Sequence, residues 1–304
     1  HTRIAKAPGP MICARCTPPC APFLAERRPA RVVAAMTDPN PLVSGRGLDI
    51  LRRAGVAVET GILEAEARRL NEVFIKHITT GLPFVVAKCA MTLDGKIATR
   101  TGHSRWVSGE AARRKTHELR DSLDAIMVGS RTVMLDDPSL TTRLPGGGGR
   151  DPIRVILDAG EYLDGNRNVF RRTSTAPTWI ATTSDKAYPF ADDVLRVPGG
   201  RSGVDMRRLM QLLAERGVTS LLIEGGGATL ASAFEAGVVD KVCFFIAPKI
   251  AGGRDAVTAV EGLGAATMDD AVPLRDMTVE RVGEDLMVEA YVAGRGENPV
   301  REET

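Results

Sequence analysis

The chain has 304 residues, which at about 150 residues per domain suggests two domains. Hydrophobic residues make up 43% and charged ones 26%, so a buried core is available and wholesale disorder is excluded. Forty Lys and Arg against 38 Asp and Glu leave a net charge of +2, too balanced for a general nucleic-acid backbone binder. No apolar run approaches the ~18 residues of a membrane span, and no charged-then-apolar leader opens the chain, so a cytoplasmic protein is expected. The five cysteines point the same way: an odd count, with Cys89 and Cys243 each alone in apolar strand-like surroundings, does not read as a secreted disulfide framework.

Short β-branched runs alternate with helical stretches, the grammar of an α/β fold. Arg31 to Met36 reads as a strand, Leu48 to Ala54 as a short helix stopped by Gly55, and Val56 to Glu59 as a second strand. Apolar residues at Ala67, Leu70, Val73, Phe74 and His77 give Glu64 to His77 a helical period. The Thr79–Pro83 stretch breaks that pattern and sets a domain boundary near Gly81. Strands then follow at Phe84–Met91, Ala125–Val128, 153–157, 178–181, 220–223, 241–247 and 287–293, the late ones open to antiparallel pairing. Helices are expected over Gly109–Leu119 and Met206–Arg216. The run Gly146 to Gly149 has no following helix, so it reads as a connector rather than a phosphate cradle.

Three segments carry chemistry. At Leu221 to Leu230 a buried strand ends in Glu224, three glycines follow, and a helix begins. Glycines let backbone N–H groups approach a ligand, and a helix N-terminus favours an anion such as a pyrophosphate. The spacing departs from Gly-x-Gly-x-x-Gly, so the Rossmann fingerprint is rejected. A second strand-to-helix turn at Gly129 to Thr132 runs into Asp136-Asp137-Pro138-Ser139-Leu140-Thr141-Thr142-Arg143, where carboxylates suit acid–base work and Arg143 suits a phosphate. Read alone, that segment slightly favours a helix stop with a solvated arginine. In the third segment, Lys88 occupies an inward strand position, costly unless paired, and Trp106 by itself suits a core.

Together the segments "AKCAMTLDGKIA", "SRWVSG", "HELRDSLDAIMVGSRTVMLDDPSLTTR", "IEGGGATLASAF" and "DKVCFFIAPKIAGG" closely resemble the reductase domain of the bifunctional riboflavin biosynthesis deaminase/reductase family. The resemblance implies a dihydrofolate-reductase-like mixed sheet flanked by helices over residues 81–293, with 294–304 a polar tail. It also implies NADPH-dependent reduction of the ribosyl side chain of 5-amino-6-(5-phosphoribosylamino)uracil. By position, Ala90, Trp106, Thr132 and Asp136 match family NADP contacts, as do Gly225, Gly226, Gly227, Ala228, Thr229, Leu230 and Ala231. Ser104, Arg120, Leu140, Arg143 and Glu224 match substrate contacts, and Lys88 matches the lysine at the active-site floor. Lys88, Asp136 and Glu224 are the expected catalytic set, with Arg120 and Arg143 as cationic forks for the ribose phosphate. Some members present a serine where Ala159 stands here, which should weaken one cofactor hydrogen bond. Arg131 and Arg172 are candidates for a 2'-phosphate. A homodimer through the reductase domain is also implied.

Residues 1–80 resemble only the back portion of the family's deaminase domain, a cytidine-deaminase-like α/β segment. Zinc deaminases need a His-x-Glu motif and two cysteines. Cys20 matches the second zinc cysteine, Met11 stands at the first, and no His-x-Glu precedes it. A thioether is a poor zinc ligand, so Cys20 is expected to be vestigial, with zinc only in a complete deaminase domain. Cys13 and Cys16 could in principle rescue a metal site. The chain begins at His1, and the expectation is a working reductase fused to a deaminase half that does not deaminate. Two alternatives stand beside it: a full bifunctional enzyme whose N-terminus is missing, and a nucleotide-binding module that has lost catalysis.

Overall fold

A computed structural model of the protein describes residues 20–171, 174–200 and 203–294. The chain divides into two compact units, His1–Leu82 and Pro83–Thr304. The metal-ligand candidates Cys13 and Cys16, with Met11 and Arg172, lie outside the described residues.

The described part of the first unit runs α1 (Cys20–Arg27), β1 (Arg31–Ala34), α2 (Arg46–Arg53), β2 (Ala57–Thr60), α3 (Glu64–Leu70) and α4 (Glu72–Thr80). β1 and β2 pair in parallel from Arg31↔Ala57 to Ala34↔Thr60. The single helix expected over Glu64–His77 is two. Asn71 sits between them at φ −112°, ψ 17°, and its Nδ2 donates to the Ala67 carbonyl at 2.8 Å. A short amide side chain competes for the helix's own acceptors, and the apolar period does not register that competition.

The second unit is built on a nine-stranded mixed sheet. Its elements are β3 (Phe84–Thr92), α5 (Glu110–Ser122), β4 (Ala125–Gly129), α6 (Ser130–Asp136), β5 (Ile153–Leu157), β6 (Thr178–Thr182), β7 (Asp193–Arg196), β8 (Gly199–Gly200), β9 (Gly203–Val204), α7 (Met206–Glu215), β10 (Ser220–Ile223), α8 (Gly227–Glu235), β11 (Lys241–Ala247), β12 (Leu274–Val282) and β13 (Asp285–Val292). The strand order is β12-β13-β11-β3-β10-β4-β5-β6-β7, and β8 with β9 forms a separate hairpin. From β11 to β7 every pairing is parallel, while β13 and β12 run antiparallel at one end. β11 therefore pairs parallel with β3 and antiparallel with β13, and it marks the switch.

Burial explains why this order holds. Ala125, Ile126, Met127 and Val128 of β4 and Leu221, Leu222 and Ile223 of β10 are at most 1% exposed, as befits parallel strands covered on both faces. α7 buries Met206, Leu209, Met210 and Leu213, one helical stripe. The side chain of Asp205 caps that helix by accepting from the backbone N–H groups of Arg207 and Arg208. Four strands escaped the sequence reading: β7 and β12, at the two edges of the sheet, and the two short strands of the β8–β9 hairpin. β12 is exposed along all but its last residue and shifts register between Arg275 and Thr278, so it lacks the alternation that marks a half-buried strand. The four glycines from Gly146 to Gly149 all have positive φ and lead into no helix, so the stretch is a connector.

Candidate functional site

Parallel strands carry their carboxyl ends to one edge of the sheet, and there a cavity of about 740 Å³ opens. Register brings its floor together. Ile223 of β10 lies opposite Ala87 of β3, so Glu224 follows beside Lys88 on the neighbouring strand. The Lys88 Nζ stands 3.6 Å from the Glu224 Oε2, with side chains 13% and 8% exposed. Arg120 approaches from α5 and closes a fork on the same carboxylate, Nε to Oε1 at 2.7 Å and Nη2 to Oε2 at 3.0 Å. Its Nη1 donates to the Thr141 carbonyl at 3.0 Å.

Burial alone would push the Glu224 carboxyl up; the Arg120 guanidinium and then the Lys88 ammonium outweigh it and hold the pKa at about 2. Glu224 is thus a fixed anion between two cations. The cost of burying Lys88 anticipated from its strand position is met by this pairing, with the Phe245 ring 5.8 Å from its Nζ. The Arg120 fork, read from the sequence as a phosphate holder, is occupied by Glu224.

The walls come from two strand-to-helix turns. Gly129 ends β4 and caps α6, while Gly225 and Gly226 lead into α8, whose first turn has no side-chain cap. A Cβ at Gly225 would stand 2.5 Å from the Thr229 Cβ, and one at Gly227 would stand 2.5 Å from the Thr258 carbonyl oxygen. A Cβ at Gly129 would stand 3.0 Å from the Thr229 Oγ1, so this glycine lets the first turn approach the threonine of α8 closely. Thr132 lies across from Gly226, and Ala90, Gly225–Thr229 and Thr132 all line the cavity. Leu230 and Ala231 do not line it; they are 0% and 4% exposed and pack inward from α8. The family pattern marks that segment as a continuous run, but helix periodicity turns its later members to the core.

The rim is wetter. Asp136 closes α6 and accepts from the Ser104 Oγ at 3.1 Å, while Arg105 donates to the Asp136 carbonyl. Trp106 is not a core residue: it is 64% exposed and lies 4.6 Å from the Arg113 guanidinium. Arg143 is exposed at the rim and Leu140 also lines the cavity, though its side chain is packed into the core beside Ile126, Val128 and Val133. Asp137, with φ 44°, ends the helix, and its carboxylate holds Asn168.

His117, Arg113 and Glu261 line the same cavity and were not singled out from the sequence. For the first two a signal existed. Positions 113, 117 and 120 share one helix face, and Arg120 was already assigned to a site. Among the described residues no group of three His, Cys, Asp or Glu side chains is gathered for a metal ion.

A mixed α/β sheet with one large cleft at its carboxyl edge, floored by a lysine–glutamate–arginine network and walled by glycine turns, defines an enzyme's site for a small organic ligand. Comparison with known proteins makes this particular. Residues 83–288 match the family model described as the RibD C-terminal domain. The riboflavin biosynthesis protein RibD of Actinobacillus pleuropneumoniae is 40% identical over 282 residues, covering 91% of this chain and 74% of that one. The Bacillus amyloliquefaciens RibD is 38% identical, over 90% of this chain and 75% of its own. Among solved structures, a diaminohydroxyphosphoribosylaminopyrimidine deaminase/5-amino-6-(5-phosphoribosylamino)uracil reductase from Thermotoga maritima superposes with a TM-score of 0.79 at 34% identity, covering 90% and 75% of the two chains. The chain belongs to the RibD family and carries its C-terminal domain, which makes it a riboflavin-biosynthesis enzyme with a reductase domain.

Proposed function

We propose that the second unit reduces the ribosyl side chain of 5-amino-6-(5-phosphoribosylamino)uracil to its ribityl counterpart with NADPH. The observation that carries this reading is the buried Lys88–Glu224–Arg120 network on the floor of a cleft whose walls are glycine turns. The Thermotoga maritima relative, with 34% identity over 90% of this chain, is named as this reductase.

The residues present fit a dinucleotide. Gly225 and Gly227 leave no room for a Cβ, so bare backbone faces the cleft where α8 begins, as a pyrophosphate requires. Gly225–Thr229, Thr132 and Ala90 would hold it, with Trp106 and Asp136 at the rim. When bound, the nicotinamide supplies a hydride. In the reduction the C1'–O4' bond of the ribose opens, C1' takes the hydride, and O4' takes a proton. Lys88 Nζ, 3.6 Å from the Glu224 carboxylate, is the donor of that proton. Glu224, held by Arg120, orients the lysine and favours the cationic character that grows at C1' as its bond to O4' loosens. Arg143 takes the ribose phosphate, since the Arg120 fork faces Glu224 instead. Ser104 and the backbone at Leu140 position the remainder of this small phosphorylated pyrimidine.

Cys20 is proposed as a vestigial zinc ligand, since Met11, a poor zinc ligand, stands where its partner cysteine is expected. We infer from Met11 that the chain as it stands does not deaminate, and ammonia release from the 2,5-diamino pyrimidine with added zinc tests this. Turnover comparable with the reductase would refute it. The homodimer is proposed on β12, an exposed edge strand presenting Leu274, Met277 and Val279, whose free edge suits pairing with a second copy. No helix of the described residues is long and apolar enough to cross a membrane, and a cytoplasmic site of action is proposed with the pathway.

The deciding assay follows NADPH oxidation with the ribosylamino-pyrimidinedione. Substrate-dependent oxidation to the ribityl product is expected. A folded sample that binds NADPH without oxidising it would make the chain a nucleotide-binding module.

A further inference from the structure

His117 lines this cleft without taking part in the proposed reduction. It lies on α5 one turn before Arg120, lines the cavity, and its Nδ1 accepts from the backbone N–H of Arg143 at 3.2 Å. Three successive residues of the loop that delivers Arg143 are therefore anchored. The Thr141 carbonyl accepts from the Arg120 Nη1 at 3.0 Å, the Thr142 N–H donates to the Asp151 Oδ1 at 2.6 Å, and the Arg143 N–H donates to His117. Of these, the contact to His117 acts on the backbone from which the Arg143 side chain springs, and beyond it the chain enters the glycine connector.

We propose that His117 is a positioning residue for the substrate anion, fixing the backbone of Arg143 through Nδ1 so that the guanidinium is presented to the cleft in one place. This deepens the proposed function and rests on it as far as the identity of the anion is concerned. The imidazole can act this way only while Nδ1 keeps its lone pair. Burial, with the Arg120 and Arg143 guanidinium groups close by, holds His117 down at about 4 against the opposing pull of Glu224. The ring is therefore neutral at physiological pH, and since Nδ1 accepts, Nε2 carries the proton. A protonated ring would set a fourth cation beside Arg120, Arg143 and Lys88, and its Nδ1–H would face the Arg143 N–H donor to donor.

Asparagine is the informative replacement, because its Oδ1 stands as many bonds from Cβ as Nδ1 does and can accept the same N–H. His117→Leu fills similar space with no acceptor. We expect His117→Leu to raise the KM for the ribosylamino-pyrimidinedione about tenfold, with kcat and the NADPH KM within about twofold of the parent. His117→Asn should restore most of that loss. A fall in kcat alone, an equal effect on both KM values, or no difference between the leucine and asparagine variants would overturn the inference.

Two measurements do not need turnover. Hydrogen exchange at the Arg143 amide should be slow in the parent and in His117→Asn and fast in His117→Leu, with the melting temperature of each variant recorded to exclude global unfolding. Nitrogen-15 shifts of the His117 ring at neutral pH should show the Nε2-protonated tautomer. Equal exchange in all three proteins, or an Nδ1-protonated ring, sinks the positioning role even if the parent reduces its substrate. Failure of the parent to reduce the pyrimidinedione, with these two signatures intact, instead counts against the substrate assignment alone.

Discussion

The floor and the rim of the cleft are built on opposite principles. On the floor, Lys88, Arg120 and Glu224 are held by one another, all about a tenth exposed, before any ligand arrives. At the rim, Ser104, Arg105, Trp106, Asp136 and Arg143 sit on loop and helix ends, with contacts that run mostly through backbone atoms or single hydroxyls. A buried charge network cannot adapt without large cost, so it suits groups that must be aligned when a bond changes. Wet loop residues can settle around a ligand, so they suit recognition. The difference teaches that similar residue types, an arginine at 120 and an arginine at 143, serve unlike ends according to what surrounds them.

Breaking the floor should give the largest effects. Glu224→Gln leaves Arg120 and Lys88 without their anion, and we expect kcat to fall on the order of 10³-fold with a clear drop in melting temperature. The pH dependence of that loss has a definite sign. Glu224 has a folded pKa near 2 against an ordinary 4.5, so its stabilisation is complete above 4.5 and disappears as pH falls from there toward 2. The parent should therefore lose more stability than Glu224→Gln over that interval, as differential calorimetry at stepped pH would show. Equal slopes would mean the network contributes nothing to folding. Lys88→Met keeps the stem and removes the proton. Here kcat should fall about 10²-fold while both KM values change little, and a KM effect instead would move Lys88 from chemistry to binding.

The glycine walls stand between floor and rim. Gly227→Ala drives a Cβ to 2.5 Å from the Thr258 carbonyl oxygen, a backbone atom that cannot step aside. The NADPH KM should rise about tenfold with the substrate KM nearly unchanged. A variant that binds cofactor normally would show that this turn is merely structural.

How much of this the sequence displays depends on what kind of order each part has. The central strands were legible because residues such as Ile126, Met127, Leu221 and Leu222 are buried on both faces and form unbroken apolar runs. β12 was not, since an edge strand with a bulge carries charges wherever solvent allows them. In the site, Lys88 and Glu224 stood out as polar residues at the ends of apolar runs, and their pairing follows once the β3–β10 register is known. That register is a tertiary fact. For the same reason the Arg120 fork was legible as a fork but not as one directed at Glu224, because 104 residues separate the partners. Trp106 defied its composition for a related reason: a large ring beside two arginines, 64% exposed, has a use for its face that hydrophobicity does not encode.

Arg143 offers the finest test of the contrast between rim and floor. If the rim recognises and the floor reacts, Arg143→Ala should raise the substrate KM by about 10- to 100-fold, the worth of a lost charged hydrogen-bond pair, with kcat nearly intact. The NADPH KM should move less than about twofold, because the proposed cofactor cradle lies at the α8 turn. Arg143→Lys separates charge from shape. A lysine keeps the charge but loses the planar fork, so partial recovery of KM would assign the residue to charge, and no recovery would assign it to two-point recognition. Raising the salt concentration distinguishes them again. An exposed charge at the rim is screened over about 10 Å at 0.1 M, so the parent's substrate KM should climb with salt while that of Arg143→Ala stays flatter. Salt curves that run parallel in the two proteins would remove Arg143 from the anion site and leave another rim cation, Arg105 or Arg113, to hold the phosphate.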